Sequence, residues 1–215
     1  IVRGFRAYDL LLSRHPDLRG KVNFLAFLVP SRTHIRQYQR YMDEIQQVVN
    51  QVNHNHGTEE WQPIQTFIEN NYTQAIAGMK LYDALLVNTI MEGMNLVAKE
   101  FVAAREDLDG VLVLSEFAGA AQELGDAVII NPYDIDGFAD GLEQALDMAL
   151  EERQRRMRAL RRVVAGRDVV QWASDILEGL EHLDPRSMPA APGSAPRKAP
   201  SDTRIVSTSS PTAGR

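Results

Sequence analysis

The sequence contains no cysteine, which excludes disulfides and metal sites built on thiolates. A chain without cysteine suits a reducing compartment, so we expect a cytoplasmic protein. It also lacks any apolar run approaching the about 20 residues of a membrane-spanning helix, and we expect no membrane association. Charged residues interrupt residues 1–12, which therefore do not resemble a signal peptide.

Positive charge is scarce as well. Lysine and arginine number 23 against 29 acidic residues, for a formal net charge of −6. Nucleic-acid binding requires clustered basic residues, so we do not expect a nucleic-acid partner. The arginine-rich residues 153–162 spread their charges over most faces of a predicted helix, which indicates a solvated helix, with binding of an acidic partner as the alternative. His54 and His56 lie in a predicted polar loop without further ligands, so no metal site is expected.

The composition changes near Asp184. Six of the ten prolines lie at or beyond Pro185, among serine and alanine residues that cannot form a core. We predict one globular domain over residues 1–183 and a disordered tail over residues 184–215. Because the chain begins within a helical pattern, we also expect it to be part of a longer protein.

Within the predicted domain, short apolar runs alternate with helical patterns. The predicted strands are residues 21–29, 63–68, 84–88, 110–115 and 127–132. The predicted helices are residues 2–13, 35–52 with Thr33 as cap, 73–81, 95–105, 118–124, 135–148 with Asp134 as cap, 151–165 and 168–183. This alternation predicts an α/β fold with a doubly wound parallel sheet, whose strands at 84–88, 110–115 and 127–132 are buried on both faces. Ligands of such sheets bind outside the carboxyl ends of the strands.

The segment "EGMN", residues 92–95, lies at such an end and opens a predicted helix. Gly93 allows close approach of a ligand or a positive φ. The first NH groups of a helix lack intrahelical acceptors and favour a phosphate. Glu100 lies on the same helix face as Leu96 and could bind ribose hydroxyls, while Glu92 could bind a sugar. The alternative is a glycine beside a helix cap and a solvated glutamate.

Two other loops follow strand ends. In "PSRT", Arg32 could bind a phosphate or pair with a carboxylate, and the residues alone leave both open. In "SEFAGA", we expect structural roles, with Ser115 as a cap and Gly119 allowing close packing, and the alternative is that this loop lines the donor pocket.

The segments "GMNLVAKE", "VLSEFAGA" and "INPYD" resemble the carboxyl-terminal domain of the trehalose-6-phosphate synthase family, and the resemblance extends from the first residues to about Leu183. The family consists of retaining glycosyltransferases with two Rossmann-like domains, the GT-B fold. Related glucosyltransferases such as glucosylglycerol-phosphate synthases share much of this pattern and remain open. The resemblance implies transfer of glucose from UDP-glucose to glucose 6-phosphate, without a metal or another cofactor.

The resemblance also implies roles for individual residues. Glu92, where the family has an aspartate, would hold hydroxyls of the donor glucose at the catalytic position. Glu100 would bind ribose, Tyr72 would lie near uracil, and Arg32 would bind the acceptor phosphate. The remaining donor-binding residues implied are Gly93, Met94, Asn95, Leu96, Val97, Ala98 and Lys99.

The chain departs from this family in extent. The resemblance implies an amino-terminal domain, and a strand with a basic loop before Ile1, that this sequence does not include. A second interpretation is therefore a non-catalytic nucleotide-sugar-binding fragment. Self-association into a homo-oligomer is left open.

Overall fold

The computed structural model describes residues 1–30 and 34–182. Arg32, the predicted cap Thr33 and the predicted tail from residue 184 lie outside the described residues. The described helices are α1 (Val2–Arg14), α2 (Arg36–His56), α3 (Tyr72–Leu81), α4 (Leu96–Ala104), α5 (Ile135–Leu146), α6 (Leu150–Gly166) and α7 (Val169–Glu181). The described strands are β1 (Phe24–Leu28), β2 (Ile64–Ile68), β3 (Ala84–Val87), β4 (Val111–Ser115) and β5 (Val128–Ile130).

Every strand pairing is parallel, as the alternation of strands and helices predicted. The strands form two ladders, β1–β2 and β3–β4–β5. Ala26 is in register with Thr66 in the first ladder, and Leu86 with Val113 in the second. Because parallel strands need crossover connections, the intervening helices cover the sheets.

Alternate residues of β4 divide the core between the two faces of its ladder. Leu112 and Leu114 pack with Phe101 of α4 and Met157 of α6. The opposite face carries Val111 and Val113, which pack in a second cluster with α1 and α5. A third cluster joins α1 and α2 to the β1–β2 ladder. Helices on both faces of a parallel sheet confirm the predicted doubly wound α/β class.

Burial differs between the strands. All five residues of β4 are buried, whereas three of the four residues of β3 are only partly buried. In β5, the middle residue Ile129 is exposed. The expectation that these three strands are buried on both faces therefore holds for β4 alone, which is the strand with a neighbour on each side.

Two predicted local structures were wrong. His54 and His56 belong to the last turn of α2 rather than to a loop. His56 is buried, and its Nε2 lies 2.7 Å from Oδ1 of Asp9 on α1, a contact that holds this end of α2 against α1. The helix predicted over residues 118–124 is only a 3₁₀ turn, Gly119–Gln122. Ala118 is extended there and forms a β-bridge with Glu92, so a helix cannot begin at that residue.

Two arginines satisfy the carboxyl ends of helices near the predicted site. Buried Arg105 donates from Nη1 to the carbonyl oxygens of Lys80, in the last turn of α3, and Tyr82, its carboxyl-terminal cap, at 2.8 and 2.9 Å. Arg161 of α6 donates to the carbonyl oxygens of Val102 and Ala103 at 2.9 and 2.8 Å. A cation at this position satisfies orphan carbonyls and the helix dipole. The arginines of α6 are thus partly structural rather than simply solvated.

The chain divides into two compact units, Ile1–Gln171 and Trp172–Arg215. The first contains all five strands and helices α1–α6. Of the second, the structure describes residues 172–182, which consist mainly of the later part of α7. The domain limit predicted at residue 183 lies just beyond the described part. None of the described helices is long and apolar enough to span a membrane.

Candidate functional site

Two loops at the carboxyl edge of the β3–β4–β5 sheet are joined through their backbones. The NH of Gly119 donates to the carbonyl oxygen of Glu92 at 3.0 Å, and the NH of Glu92 lies 3.4 Å from the carbonyl oxygen of Phe117. A Cβ atom on Gly119 would lie 2.2 Å from the carbonyl oxygen of Gly93, so only glycine fits without displacing the backbone. Buried Ser115 donates from Oγ to the Thr89 carbonyl oxygen at 2.6 Å. The close packing expected at Gly119 is present.

Asn95 organises the start of α4. Its Oδ1 accepts the Ala98 NH at 2.8 Å, and its Nδ2 donates to Oε2 of Glu92 at 2.7 Å. Asn95 is buried and has a left-handed φ of 51°, a conformation that asparagine tolerates better than most residues. Gly93 does not have a positive φ, although a Cβ atom there would meet nothing within 4 Å. The left-handed residue is therefore Asn95, while the space over Gly93 remains open to a ligand.

The amino terminus of α4 offers donors to an anion. The Ala98 NH already has the Asn95 side chain as acceptor, but the NH groups of Leu96 and Val97 have no acceptor within the helix. Leu96 and Val97 are about half exposed, so this end of the helix is accessible. The helix dipole adds positive potential here, and together these features favour a phosphate or diphosphate.

A cavity of about 350 Å³ lies near the carboxyl ends of β1 and β3. It brings together three of the predicted donor-binding residues, Tyr72, Val97 and Glu100. Tyr72 is exposed at the first turn of α3, a helix capped by Asn71, whose Oδ1 accepts the Gln74 NH at 3.0 Å. The Glu100 carboxylate has no ion pair with any described residue, so it remains available to accept hydrogen bonds from a ligand hydroxyl.

Other predicted residues are placed differently. Lys99 donates from Nζ to Oε2 of Glu123 at 2.9 Å, and Arg167 lies 3.2 Å from the other oxygen of that carboxylate. The hydrogen bond from Lys99 is the main reason that the pKa of Glu123 lies below its usual value. Ala98 is fully buried, and neither Ala98 nor Lys99 lines the cavity. Met94 and Glu92 lie in the loop ahead of α4, outside the cavity lining.

One group at this edge was missed by the sequence analysis. The Arg3 guanidinium carbon lies 4.2 Å from the centre of the Tyr133 ring, and Tyr133 meets Phe117 edge to face at 5.7 Å. The signal available in the sequence was the position of Tyr133 three residues after the end of the strand "VII", where loops of a parallel sheet face a ligand crevice.

A doubly wound parallel sheet, with an open helix amino terminus beside a carboxylate-lined cavity, is an arrangement typical of α/β domains that bind nucleotides. Residues 1–182 match glycosyltransferase family 20. The chain belongs to this family.

Curated relatives agree with this assignment. The chain is 39% identical over 183 residues to the bifunctional trehalose-6-phosphate synthase/phosphatase of Thermoproteus tenax. The aligned residues cover 84% of this chain and 25% of that protein. It is also 39% identical over 187 residues to the trehalose-6-phosphate synthase of Klebsiella pneumoniae, covering 85% of this chain and 39% of the relative.

Solved structures give the same result. An α,α-trehalose-phosphate synthase (UDP-forming) of Burkholderia xenovorans, in complex with glucose-6-phosphate, superposes with a TM-score of 0.80 at 37% identity over 84% of this chain and 40% of that one. The Escherichia coli protein bound with UDP-2-fluoro glucose gives a TM-score of 0.81 at 34% identity over 85% and 41%. The chain thus spans about two fifths of the length of these proteins.

Proposed function

We propose that this chain is the donor-binding part of a UDP-forming trehalose-6-phosphate synthase, which transfers glucose from UDP-glucose to glucose 6-phosphate with retention. The observation that carries the proposal is the convergence of Tyr72, Val97 and Glu100 on one cavity in a family 20 domain. Solved relatives bound with UDP-2-fluoro glucose and with glucose-6-phosphate support both substrates.

Each group in the site has a proposed task. The free NH groups of Leu96 and Val97 bind the donor diphosphate through hydrogen bonds and the helix dipole. Glu100 accepts hydrogen bonds from the ribose, and Tyr72 flanks the uracil. Glu92, whose carboxylate is oriented by Asn95, binds hydroxyls of the transferred glucose.

The proposed reaction needs no protein nucleophile. The leaving phosphate accepts the proton of the acceptor hydroxyl on the same face of the sugar, so the main task of the protein is to stabilise charge on the diphosphate. Preorganised NH donors are suited to that task. The proposal therefore includes no metal, and it assigns the acceptor phosphate to Arg32. It also includes a cytoplasmic location, which the absence of cysteine favours.

Calorimetry with UDP and uridine tests the donor site. UDP should bind more tightly than uridine, because only UDP carries the phosphates that the start of α4 would hold. Chelation of metals with EDTA should leave the UDP affinity unchanged. Equal affinities for UDP and uridine would contradict the diphosphate assignment, and loss of binding in EDTA would contradict the metal-free site.

The second candidate is a nucleotide-sugar-binding module without catalysis. The observation in its favour is that the chain spans only 25% of the Thermoproteus tenax relative and 42% of a solved Burkholderia vietnamiensis synthase. Release of UDP from UDP-glucose distinguishes the two candidates when it is assayed with glucose 6-phosphate. The same assay with glycerol 3-phosphate examines the related glucosylglycerol-phosphate reaction.

A further inference from the structure

Arg3, in the first turn of α1, is a cation without a carboxylate partner among the described residues. The other two arginines of this helix have such partners. Arg6 lies 3.6 Å from a carboxylate oxygen of Glu44. Arg14 lies 2.8 Å from a carboxylate oxygen of Asp140. Arginine is well suited to binding a phosphate, because its planar fork of NH groups matches two phosphate oxygens. The free charge of Arg3 therefore indicates a binding role.

The aromatic ring of Tyr133 holds the side chain of Arg3 in place. The guanidinium carbon lies 4.2 Å from the ring centre. Tyr133 in turn meets Phe117 edge to face, with the two ring centres 5.7 Å apart. The face of a ring attracts a cation but supplies no oxygen acceptor, so the NH donors of Arg3 stay available to a ligand.

The two rings connect Arg3 to the loop that contains Glu92. The carbonyl oxygen of Phe117 lies 3.4 Å from the NH of Glu92, so Arg3, both rings and this loop are successive neighbours at the carboxyl edge of the sheet. Glu92 is the residue proposed to bind the transferred glucose. The donor diphosphate is attached to that glucose and the acceptor approaches it, so both substrates bring a phosphate close to this loop.

The chain neighbours of Arg3 border the donor cavity on the other side. Ile1 and Asn88 both line the cavity of about 350 Å³ that Glu100 also lines. A Cβ atom on Gly4 would lie 2.8 Å from Nδ2 of Asn88, so the first turn of α1 passes directly against the residue that follows β3. Arg3 thus belongs to a backbone segment that borders the cavity, and its side chain reaches the loops on the Glu92 side.

The charges around the site require a cation there. Glu92 and Glu100 are both proposed to bind hydroxyls, and their carboxylates repel a phosphate. Lys99 does not offset them, because its Nζ donates to Oε2 of Glu123 at 2.9 Å. Arg3 has no such partner, so its charge is free to attract an anion.

We propose that Arg3 binds a phosphate group of one of the two substrates and that Tyr133 is its positioning residue. The guanidinium donates charge-assisted hydrogen bonds to the phosphate oxygens, while the ring restricts the guanidinium to the site. The phosphate is either the diphosphate of the donor or the phosphate monoester of the acceptor. The proposal rests on the proposed function, because it adds a binding residue to the same site.

Calorimetry with ligand pairs that differ in phosphate is the direct test. Arg3→Gln should weaken UDP binding on the order of tenfold and leave uridine binding unchanged, if the donor diphosphate is the ligand. Titration with glucose 6-phosphate and with glucose, without nucleotide, tests the acceptor in the same way. A loss confined to the phosphorylated member of either pair supports the proposal and identifies the substrate. Arg6→Gln is the matched control, since Arg6 is exposed on the next turn of α1 and should change neither affinity.

Variants of Tyr133 test the positioning role. Tyr133→Leu removes the ring but keeps the charge of Arg3, so it should weaken the same phosphorylated ligand several-fold. Tyr133→Phe keeps the ring and should restore the affinity of the unaltered chain. The Tm of each variant shows whether the domain remains folded. A lower Tm with unchanged affinities in Arg3→Gln would make Arg3 a structural support for Tyr133 and would overturn the proposal.

The same titrations separate this inference from the proposed function. Binding of UDP and glucose 6-phosphate by Arg3→Gln as tightly as by the unaltered chain would overturn the role of Arg3 and leave the donor site intact. Equal affinities of the unaltered chain for UDP and uridine would instead contradict the proposed donor site. If the unaltered chain also bound glucose 6-phosphate no more tightly than glucose, the role of Arg3 would be overturned with it.

Discussion

The side-chain nitrogen of Asn95 lies 2.7 Å from Oε2 of Glu92. The opposite end of the same side chain accepts the Ala98 NH, so the amide orientation is fixed and Nδ2 must be the donor. One residue therefore caps α4, turns the backbone into the left-handed region and orients the proposed sugar-binding carboxylate. Stability of the helix and geometry of the site are coupled through Asn95.

Replacement of Asn95 tests this coupling. Asn95→Ala should cost about 1 kcal/mol for the lost cap and a further about 1–2 kcal/mol for alanine at a left-handed φ. Asn71→Ala is the matched control, because Asn71 also caps a helix but has a φ of −125°. Urea denaturation measures both variants. An equal loss of stability in the two would show that the left-handed backbone at Asn95 has no measurable cost.

Glu100→Ala should weaken UDP binding by about 1–3 kcal/mol, the range of hydrogen bonds to a charged group. Glu106→Ala is the control, since Glu106 is an exposed glutamate just beyond α4 and outside the cavity lining. Isothermal calorimetry measures both affinities. If UDP binds Glu100→Ala as tightly as the unaltered chain, Glu100 does not bind the ribose.

Gly119→Ala should destabilise the chain by about 1–3 kcal/mol and weaken UDP binding. The added methyl would lie 2.2 Å from the Gly93 carbonyl oxygen, so the loop ahead of α4 must move. Gly125→Ala is the control, because a Cβ atom at Gly125 meets nothing within 4 Å. Thermal unfolding and calorimetry measure the two effects. Similar results for both glycines would mean that the loops do not depend on this contact.

The sequence was sufficient to predict the helices, strands and caps that depend on local patterns. Apolar runs bounded by loops predicted the parallel strands, and the segment after residue 94 was predicted to be a helix, which the structure places at Leu96–Ala104. Asp134 was predicted as a helix cap, and its Oδ1 accepts the Gly137 NH at 3.1 Å. These features depend on neighbours within a few residues, which the sequence displays directly.

Side-chain contacts between residues far apart in the chain could not be predicted from local sequence patterns. Lys99 follows the donor-binding motif, but its direction is set by Glu123, 24 residues away. His56 looked like a loop residue because Asp9, its partner, lies 47 residues earlier. The partial burial of β3 likewise reflects which strands lie beside it, and an apolar run alone does not report its neighbours.

The contact between Lys99 and Glu123 predicts a dependence of stability on pH. The pKa of Glu123 is lowered from 4.5 in the folded chain, so its contribution is present above about pH 4.5 and is lost as the pH falls through the folded-state value. For a partly exposed pair worth about 1 kcal/mol, Glu123→Gln should lower the Tm by about 2–4 °C at pH 7.

The Tm difference between Glu123→Gln and the unaltered chain should persist down to about pH 4.5 and narrow below it. Glu106→Gln serves as the control, since no ion pair involves Glu106 among the described residues. Scanning calorimetry at a series of pH values provides the measurement. A difference that widens on acidification would have the wrong sign for a carboxylate of lowered pKa.

The 215-residue chain alone should have no measurable synthase activity, although it should bind UDP through α4 and Glu100. It spans about two fifths of the solved synthases that it resembles, and their reaction needs donor and acceptor held together. Loss of a single preorganised contact to developing charge often costs ~10²–10³ in rate, so the loss of several should abolish turnover. Incubation with UDP-glucose and glucose 6-phosphate, followed by an assay for released UDP, measures this directly. Turnover near that of an intact relative would mean that the catalytic groups all lie within these residues, and the donor-binding part would then be the whole enzyme.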